Sequence, residues 1–175
     1  MRYAEIKPYD TANGPGVRVS LFTQGCTHHC HNCFNPETWD FDGGKEFTMA
    51  TIDRICMLGN RDEISGLSIL GGDPFQADLD MMFILLRSFQ KKVGKPIWVW
   101  TGYTINELMK DPKKACLLLL VDVLVDGPFI ESKKNLRLKH RGSSNQRVID
   151  TQKTMRNFLS VNYDSIEESI VLYEE

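Results

Sequence analysis

Short apolar stretches alternate with longer amphipathic ones along the first 150 residues of the chain. Four of the short stretches are rich in β-branched or aromatic residues, which is typical of strands. They are residues 17–23, 66–70, 97–101 and 121–127. Because helical patterns separate them, the sequence predicts βαβ units and therefore an α/β fold with parallel strands.

Capping signals mark where the helices between these strands begin. Thr48 precedes a helical pattern at residues 49–58, and Asp78 precedes a longer one at residues 79–93. The sequence TINE at 104–107 is a capping box, and the Asp-Pro pair at 111–112 starts a further helical piece. Five apolar residues are expected to form the buried face of the longer helix: Leu79, Met82, Phe83, Leu86 and Phe89.

Composition bounds the class of protein. The chain has 175 residues, which suits one domain but is shorter than the about 250 residues of a complete eight-unit α/β barrel. With 42% hydrophobic residues, 25% charged residues and a formal net charge of -2, it lacks a basic excess that would indicate nucleic-acid binding. The longest apolar run, residues 115–125, contains Asp122 and falls short of the roughly 20 residues that cross a bilayer. The N-terminus lacks the apolar core of a signal peptide, so we expect a cytoplasmic protein with no nucleic-acid or membrane partner.

Charge is unevenly distributed near the C-terminus. Residues 133–147 hold six Lys or Arg and no acidic residue, and we expect a long loop there before a last short strand at residues 147–150. The last twelve residues are acidic and carry no Lys or Arg. The default interpretation of both segments is a solvated surface.

Three cysteines occur in the sequence GCTHHCHNCF at residues 25–34, with the spacing C-x3-C-x2-C. They are Cys26, Cys30 and Cys33. In a reducing compartment such a cluster favours metal binding or catalysis over disulfide formation. The other two cysteines, Cys56 and Cys116, lie in separate predicted elements.

Two kinds of metal site fit the cysteine loop. A structural zinc site would be tetrahedral and closed, and its fourth ligand would have to come from His28, His29 or His31. An iron–sulfur cubane ordinarily has four cysteine ligands, so three would leave one iron open to bind a substrate. The residues alone leave both alternatives open.

Other polar turns are expected to meet the cysteine loop at one edge of the sheet. In parallel α/β folds, active sites form in the loops that follow the carboxyl ends of the strands. The cysteine loop occupies such a position, as do GGDP at 71–74, TGYT at 101–104 and DGPF at 126–129.

The cysteine spacing resembles the signature C-x3-C-x-Φ-C of the radical S-adenosylmethionine (SAM) superfamily, in which Φ is usually aromatic. Asn32 occupies the Φ position here. GGDP stands where that superfamily has a GGE motif, with Asp73 one methylene shorter than Glu. The resemblance implies that the three cysteines bind a [4Fe-4S] cluster whose open iron binds SAM.

The resemblance also implies which residues contact the cofactor. Residues near the adenine would be Asn32, Cys33 and Phe34, and the methionine end would bind Gly71, Gly72 and Asp73. Thr101 and Asp126 fall where related enzymes bind the ribose or a monovalent cation. Gly72→Val is expected to raise the SAM requirement and to leave the iron content unchanged.

Four longer segments narrow the resemblance to the activating proteins of anaerobic ribonucleoside-triphosphate reductase. They are NGPGVRVSLFTQGC at 13–26, CFNPETWDF at 33–41, VDGPF at 125–129 and RGSSNQRVID at 141–150. This family implies a single-domain, partial (incomplete) β/α barrel of the radical SAM type. Its core would be residues 1–150 with a cluster loop at 25–37, and residues 151–175 would extend the same domain.

The family implies an oxidoreductase that cleaves SAM to a 5'-deoxyadenosyl radical and generates a glycyl radical on the large reductase subunit. A low-potential electron donor such as flavodoxin would be required. The basic loop 133–147 is expected to dock the reductase or to bind the SAM carboxylate, and Arg141 and Arg147 are its expected functional members because they lie in the family segment. The alternatives are an activase of another glycyl radical enzyme, of the pyruvate formate-lyase type, or a small zinc-binding module that binds protein or nucleic acid.

Overall fold

A computed structural model describes residues 1–160 and 165–174. The described residues form a seven-stranded sheet with the strand order β3-β1-β2-β4-β5-β6-β7. The strands are β1 Arg2–Asp10, β2 Arg18–Thr23, β3 Lys45–Glu46, β4 Gly66–Gly71, β5 Ile97–Trp100, β6 Val123–Asp126 and β7 Arg147–Asp150. The α-helices are α1 Met49–Gly59, α2 Leu79–Lys92, α3 Ile105–Met109, α4 Pro112–Leu118 and α5 Thr151–Ser160. Within the described ranges, no helix is both long enough and apolar enough to cross a membrane.

The predicted α/β class is confirmed, and the four predicted core strands β2, β4, β5 and β6 are parallel neighbours in that order. The sheet as a whole is mixed. Strands β1 and β3 pair antiparallel on one side, and β7 pairs antiparallel with β6 on the other. Parallel strands are thus flanked by antiparallel edges, which the βαβ pattern did not predict.

The two faces of the sheet have different environments because alternate side chains of a strand point to opposite faces. One alternating set, which includes Val19, Leu67 and Leu124, packs with buried side chains from all five α-helices in a single core. The opposite set belongs to a separate small cluster of Trp98, Val123 and Val125, with Trp100 and Tyr173 packed against it. The helices therefore cover one face.

The predicted helix starts agree with the structure. Asp78 Oδ1 accepts hydrogen bonds from the backbone N–H groups of Asp80 and Met81, both at 3.1 Å. Thr104 and Glu107 form the capping box expected from TINE. The buried face of α2 differs at one position, because Phe83 is 43% exposed and Leu85 is buried in its place. Leu85 completes the spacing i, i+3, i+4, i+7 with Met82, which is the narrow stripe that faces the core.

Three elements had no clear sequence signal: β1, β3 and α5. Strand β1 contains Pro8, and register shifts interrupt its pairing with β2, so it lacks a regular alternation. Helix α5 is polar on average and buries Thr151, Thr154 and Met155, of which only Met155 is strongly apolar.

A buried arginine joins the amino-terminal ends of the parallel strands. Arg18 is 1% exposed, and its Nε donates to Ser68 Oγ at 2.7 Å. Its Nη2 donates to the carbonyl oxygens of Leu67 and Pro96, both at 2.8 Å. Burial lowers the pKa of Arg18 to about 10, a value that still leaves the guanidinium charged at neutral pH. Strands β2 and β4 and the segment before β5 are therefore joined through one side chain.

The C-terminal segment returns to the sheet. The backbone N–H of Asp150 donates to Val171 O at 2.8 Å, and that of Tyr173 donates to Val148 O at 2.9 Å, which extends the sheet beyond β7. Residues 161–164 and 175 of the predicted extension lie outside the described residues.

Arg147 holds this C-terminal segment to the core. Its Nε donates to Asp126 Oδ1 at 2.9 Å, and its Nη1 donates to Glu167 Oε2 at 2.8 Å. The Asp126 side chain is 1% exposed, so Arg147 is the cation that balances a buried carboxylate.

Arg147→Met should destabilise the protein by about 3 kcal/mol, because it leaves the buried Asp126 carboxylate without its cation. Glu167→Gln is the matched control, since it removes only the half-exposed partner and should cost less than about 1 kcal/mol. Urea unfolding followed by circular dichroism measures both changes. Equal losses of stability in the two variants would contradict the central role given to the Asp126 pair.

Candidate functional site

The loops that follow β2, β4, β5 and β6 surround one cavity of about 590 Å³. This volume lies in the range of about 300–1,000 Å³ that is typical of small-molecule sites. Eight of the predicted site residues line it: Cys26, Cys30, Cys33, Phe34, Gly71, Gly72, Asp73 and Thr101. Asn32 and Asp126 are not among the lining residues.

All five cysteines are free thiols, and those of the cysteine loop differ in exposure. Cys26 is buried, whereas Cys30 and Cys33 are half-buried. Burial raises the pKa of Cys26 to about 11, although the backbone N–H groups of His28 and His29 favour its thiolate. Burial also raises the pKa of Cys30, although the backbone N–H of Phe129 favours its thiolate. A bound metal would therefore have to displace protons from these thiols.

Three residues with positive φ shape the cysteine loop: Gly25 at 98°, His29 at 46° and Asn32 at 52°. Asn adopts this left-handed conformation more readily than an aromatic or branched residue. This accounts for an Asn at position 32. Its side chain donates to Glu131 Oε1 on the outer surface of the loop, so it does not enter the cavity.

The GGD turn packs directly on the cysteine loop. The backbone N–H of Asp73 donates to Gly25 O at 2.9 Å, and that of Gly72 donates to Thr23 O at 2.9 Å. A Cβ on Gly72 would lie 2.5 Å from Gly25 O. The missing side chain at position 72 is therefore required for the contact between two backbones.

The carboxylate of Asp73 is fully enclosed at 0% exposure. Its oxygens accept from Phe75 N and Gly102 N, both at 2.9 Å, and from Thr101 Oγ1 at 2.9 Å. His28 Nε2 lies 2.8 Å from Oδ2. Because four donors occupy this carboxylate, the part of the turn that remains available to a ligand is backbone.

The two residues predicted near a ribose or a cation are both engaged within the protein. The Thr101 hydroxyl donates to Asp73 and accepts from Tyr103 N at 3.1 Å. Asp126 Oδ2 accepts from Ile105 N at 2.8 Å, behind the cavity wall, in addition to its pairing with Arg147. Their predicted roles toward a ligand stay predictions.

The residues just before the predicted long loop at 133–147 contact the cysteine loop. Phe129 makes an edge-to-face contact with Phe34 at 5.1 Å between ring centroids. Glu131 Oε2 lies 2.6 Å from His31 Nδ1. Gln146 closes the loop, since its Oε1 accepts from Gly142 N at 2.9 Å and its Nε2 donates to Gly127 O at 3.1 Å.

Sequence reasoning missed His28, Glu131 and Gln146 as residues that build the site, whereas Phe129 belongs to the DGPF turn that was expected there. Gln146 lies in the segment RGSSNQR, which the family resemblance marked as functional. The segment itself does not indicate which residues Gln146 contacts. His28 was considered only as a metal ligand. Its contact with Asp73 joins segments far apart in the sequence, so no local pattern could reveal it.

The donor set fits an iron–sulfur cluster with three protein ligands. Three thiols of one loop open onto a cavity, as such a cluster with an open iron requires. In the described part of the chain, no three His, Cys, Asp or Glu side chains are grouped closely enough to hold a single metal ion.

Comparison with known proteins supports the same kind of site. Residues 12–149 match the family described as a 4Fe-4S single cluster domain. The chain is 41% identical over 152 residues to the anaerobic ribonucleoside-triphosphate reductase-activating proteins of Salmonella typhi and Escherichia coli K12, covering 85% of this chain and 97% of each relative. The protein of the same name from Enterobacteria phage T4 is 40% identical over 152 residues, covering 85% of this chain and 93% of the relative.

If the three thiols hold a cluster as the sequence predicts, replacing Cys26, Cys30 or Cys33 by Ala should remove most of the iron and sulfide bound after anaerobic reconstitution, because each loss would leave a second iron without a protein ligand. Cys56→Ala is the matched control. Its thiol is buried in α1, so the variant should keep its iron and lose about 1–3 kcal/mol of stability. Iron and sulfide analysis with urea unfolding tests both, and loss of iron from Cys56→Ala would refute the three-ligand assignment.

Gly72→Ala should lower the iron content as well as the SAM binding predicted from the sequence, since its Cβ would lie 2.5 Å from Gly25 O and displace the cysteine loop. This differs from the expectation based on the sequence alone, in which only SAM binding suffered. Gly94→Ala is a control, because a Cβ on Gly94 would approach only Gln90 O, at 3.8 Å, and Gly94 lies after α2, outside the cysteine loop and the GGD turn. A Gly72→Ala protein with full iron content would show that the loop tolerates the side chain.

Proposed function

The chain belongs to the family of the anaerobic ribonucleoside-triphosphate reductase-activating proteins, and we propose that it is the oxidoreductase that generates a glycyl radical on such a reductase. The observation that carries this proposal is the common cavity. It brings the three thiols of the cysteine loop together with the GGD turn and the loops after β5 and β6.

We propose a [4Fe-4S] cluster held by Cys26, Cys30 and Cys33, with SAM bound at its open iron. When bound, the reduced cluster supplies one electron that cleaves SAM to methionine and a 5'-deoxyadenosyl radical, which takes a hydrogen atom from a glycine Cα. The backbone of Gly71 and Gly72 would hold the methionine end, because the Asp73 carboxylate is already engaged. Phe34 and the backbone near Asn32 and Cys33 remain the proposed adenine contacts.

The rest of the cavity suits a segment of a partner protein. Its wall continues from the cysteines past Phe22, Leu70 and Trp100 to Asn13, along the face of the sheet that the helices leave uncovered. These apolar side chains would exclude water from a reactive intermediate. A glycine suits entry to such a site, because no side chain blocks its Cα.

We also propose that the sheet is a partial β/α barrel. Three features support this: the parallel strands follow one another in sequence order, the helices share one face, and the cavity lies at the carboxyl ends of the strands. A low-potential electron donor such as flavodoxin and a cytoplasmic location complete the proposal. The location rests on the five free thiols, which suit a reducing compartment.

The large subunit of the reductase is the proposed partner, and the mouth of the cavity is its proposed docking surface. Leu136 is 79% exposed and Phe34 is 54% exposed there, so two large apolar side chains are available to a partner at the mouth. The surrounding loop supplies Lys133, Lys134 and Arg137, all exposed. Arg141 is partly buried and its Nη1 donates to Gln146 O, so it supports the loop from within.

The activity itself is tested by mixing the reconstituted protein anaerobically with the reductase large subunit, SAM and a reductant. Electron paramagnetic resonance should then detect a glycyl radical that depends on all four components. A protein with a full cluster that cleaves SAM yet forms no radical on this reductase would refute the choice of partner. A preparation that binds only stoichiometric zinc, without sulfide, would refute the cluster.

Arg137→Ala and Lys133→Ala should each slow glycyl-radical formation by about two- to fivefold at low salt, since exposed charges chiefly affect the association rate. SAM cleavage without the partner should stay unchanged. Lys91→Ala is the control, an exposed lysine on α2. Equal loss in both assays would assign the loop to the SAM site, and equal rates for all three variants would refute docking through this loop.

A further inference from the structure

We propose that His28 is a positioning residue that sets the reduction potential of the cluster by fixing the first turn of the cysteine loop against Asp73. The inference rests on the proposed function, because it requires a cluster on Cys26, Cys30 and Cys33. It concerns a histidine that binds no metal in that proposal.

Asp73 is held in a fixed position. Its carboxylate is 0% exposed and is held by Phe75 N, Gly102 N and the Thr101 hydroxyl. Its own backbone N–H donates to Gly25 O, the residue before Cys26. Asp73 is therefore a rigid acceptor next to the start of the cysteine loop.

Two contacts fix His28 on this acceptor. Its Nε2 lies 2.8 Å from Asp73 Oδ2, and because a carboxylate only accepts, Nε2 carries the hydrogen. The ring also contacts Tyr103 edge-to-face, with 4.6 Å between the ring centroids. The side chain is only 20% exposed. If the ring rotated away from Asp73, it would lose both contacts, and water could hydrate it only in part.

The His28 side chain is connected to the proposed metal ligand Cys26 through the backbone. His28 lies between Cys26 and Cys30, and the backbone N–H groups of His28 and His29 favour the thiolate of Cys26. Fixing the ring on Asp73 and Tyr103 therefore fixes the orientation of the backbone N–H groups that follow Cys26. Hydrogen bonds to the sulfurs stabilise the more negative, reduced form of an iron–sulfur cluster, so they raise its reduction potential.

His31 provides a matched comparison in the same loop. Its Nδ1 also contacts a carboxylate, Glu131 Oε2 at 2.6 Å. However, the His31 side chain is 82% exposed and that of Glu131 is 43% exposed. Water can replace this contact, so His31 should have little influence on the loop.

The experiment measures the cluster's midpoint potential by anaerobic redox titration, together with iron and sulfide content, in reconstituted full-length protein. His28→Leu should lower the ratio of reduced to oxidised cluster at a fixed potential by about tenfold, which is about 59 mV for one electron. His28→Gln, whose amide nitrogen can reach Asp73 as Nε2 does, should stay close to the unsubstituted protein. His31→Leu should also stay close to it.

The outcomes separate the inference from the proposed function. Absence of iron and sulfide from the unsubstituted protein would refute the cluster itself. With a full cluster, an unchanged potential in His28→Leu, or an equal shift in His31→Leu, would refute the role of His28. If His28→Leu fails to bind iron, His28→Gln and His28→Asn decide, since the shorter Asn cannot reach Asp73. A lower midpoint potential in His28→Asn but not in His28→Gln supports the proposal, and equal potentials in the two variants overturn it.

Discussion

The buried carboxylate of Asp73 is the constraint on which the arrangement of the site depends. A charge at 0% exposure is tolerated only if hydrogen bonds replace its water. Here the donors come from three separate parts of the chain: His28 after β2, Phe75 after β4, and Thr101 with Gly102 after β5. Satisfying one carboxylate thus brings three loops to one place, and the cavity lies where they meet.

A second buried carboxylate has a similar effect on the fourth loop. Asp126 receives the N–H of Ile105 at the start of α3 and the guanidinium of Arg147, which in turn holds Glu167 of the C-terminal segment. Gln146 then closes the loop over Gly127. The residues of the segment RGSSNQR that the sequence marked as functional therefore contribute first by building the cavity wall.

Local patterns predicted the parts of the fold that local chemistry decides. The parallel strands, the caps at Asp78 and Thr104, and the cysteine loop all follow from spacing and side-chain type over a few residues. Strand β1 and helix α5 did not, because tertiary contacts compensate for weak local patterns. The prediction that Phe83, and not Leu85, lies in the buried face of α2 was wrong for the same reason. Helix α2 has apolar residues on several sides, and the elements packed against it determine which of them are buried.

The site was predicted as a set of residues and not as a set of contacts. The sequence predicted that the cysteines, the GGD turn and Thr101 lie at one edge of the sheet, and they line one cavity. It could not show that the Asp73 carboxylate faces inward or that His28 contacts it, because these depend on how distant loops meet.

The close approach of Gly72 to Gly25 has a consequence for how such a chain can change over evolutionary time. Any Cβ at position 72 would lie 2.5 Å from a carbonyl oxygen of the cysteine loop, and Gly25 itself has a φ of 98° that disfavours other residues. A side chain at position 72 would require the cysteine loop to be rebuilt, whereas a Cβ at position 25 would lie 2.4 Å from the ring of Phe41. Position 72 should therefore stay glycine for as long as the cysteine loop keeps this path, and position 25 is restricted separately by its own φ and by Phe41.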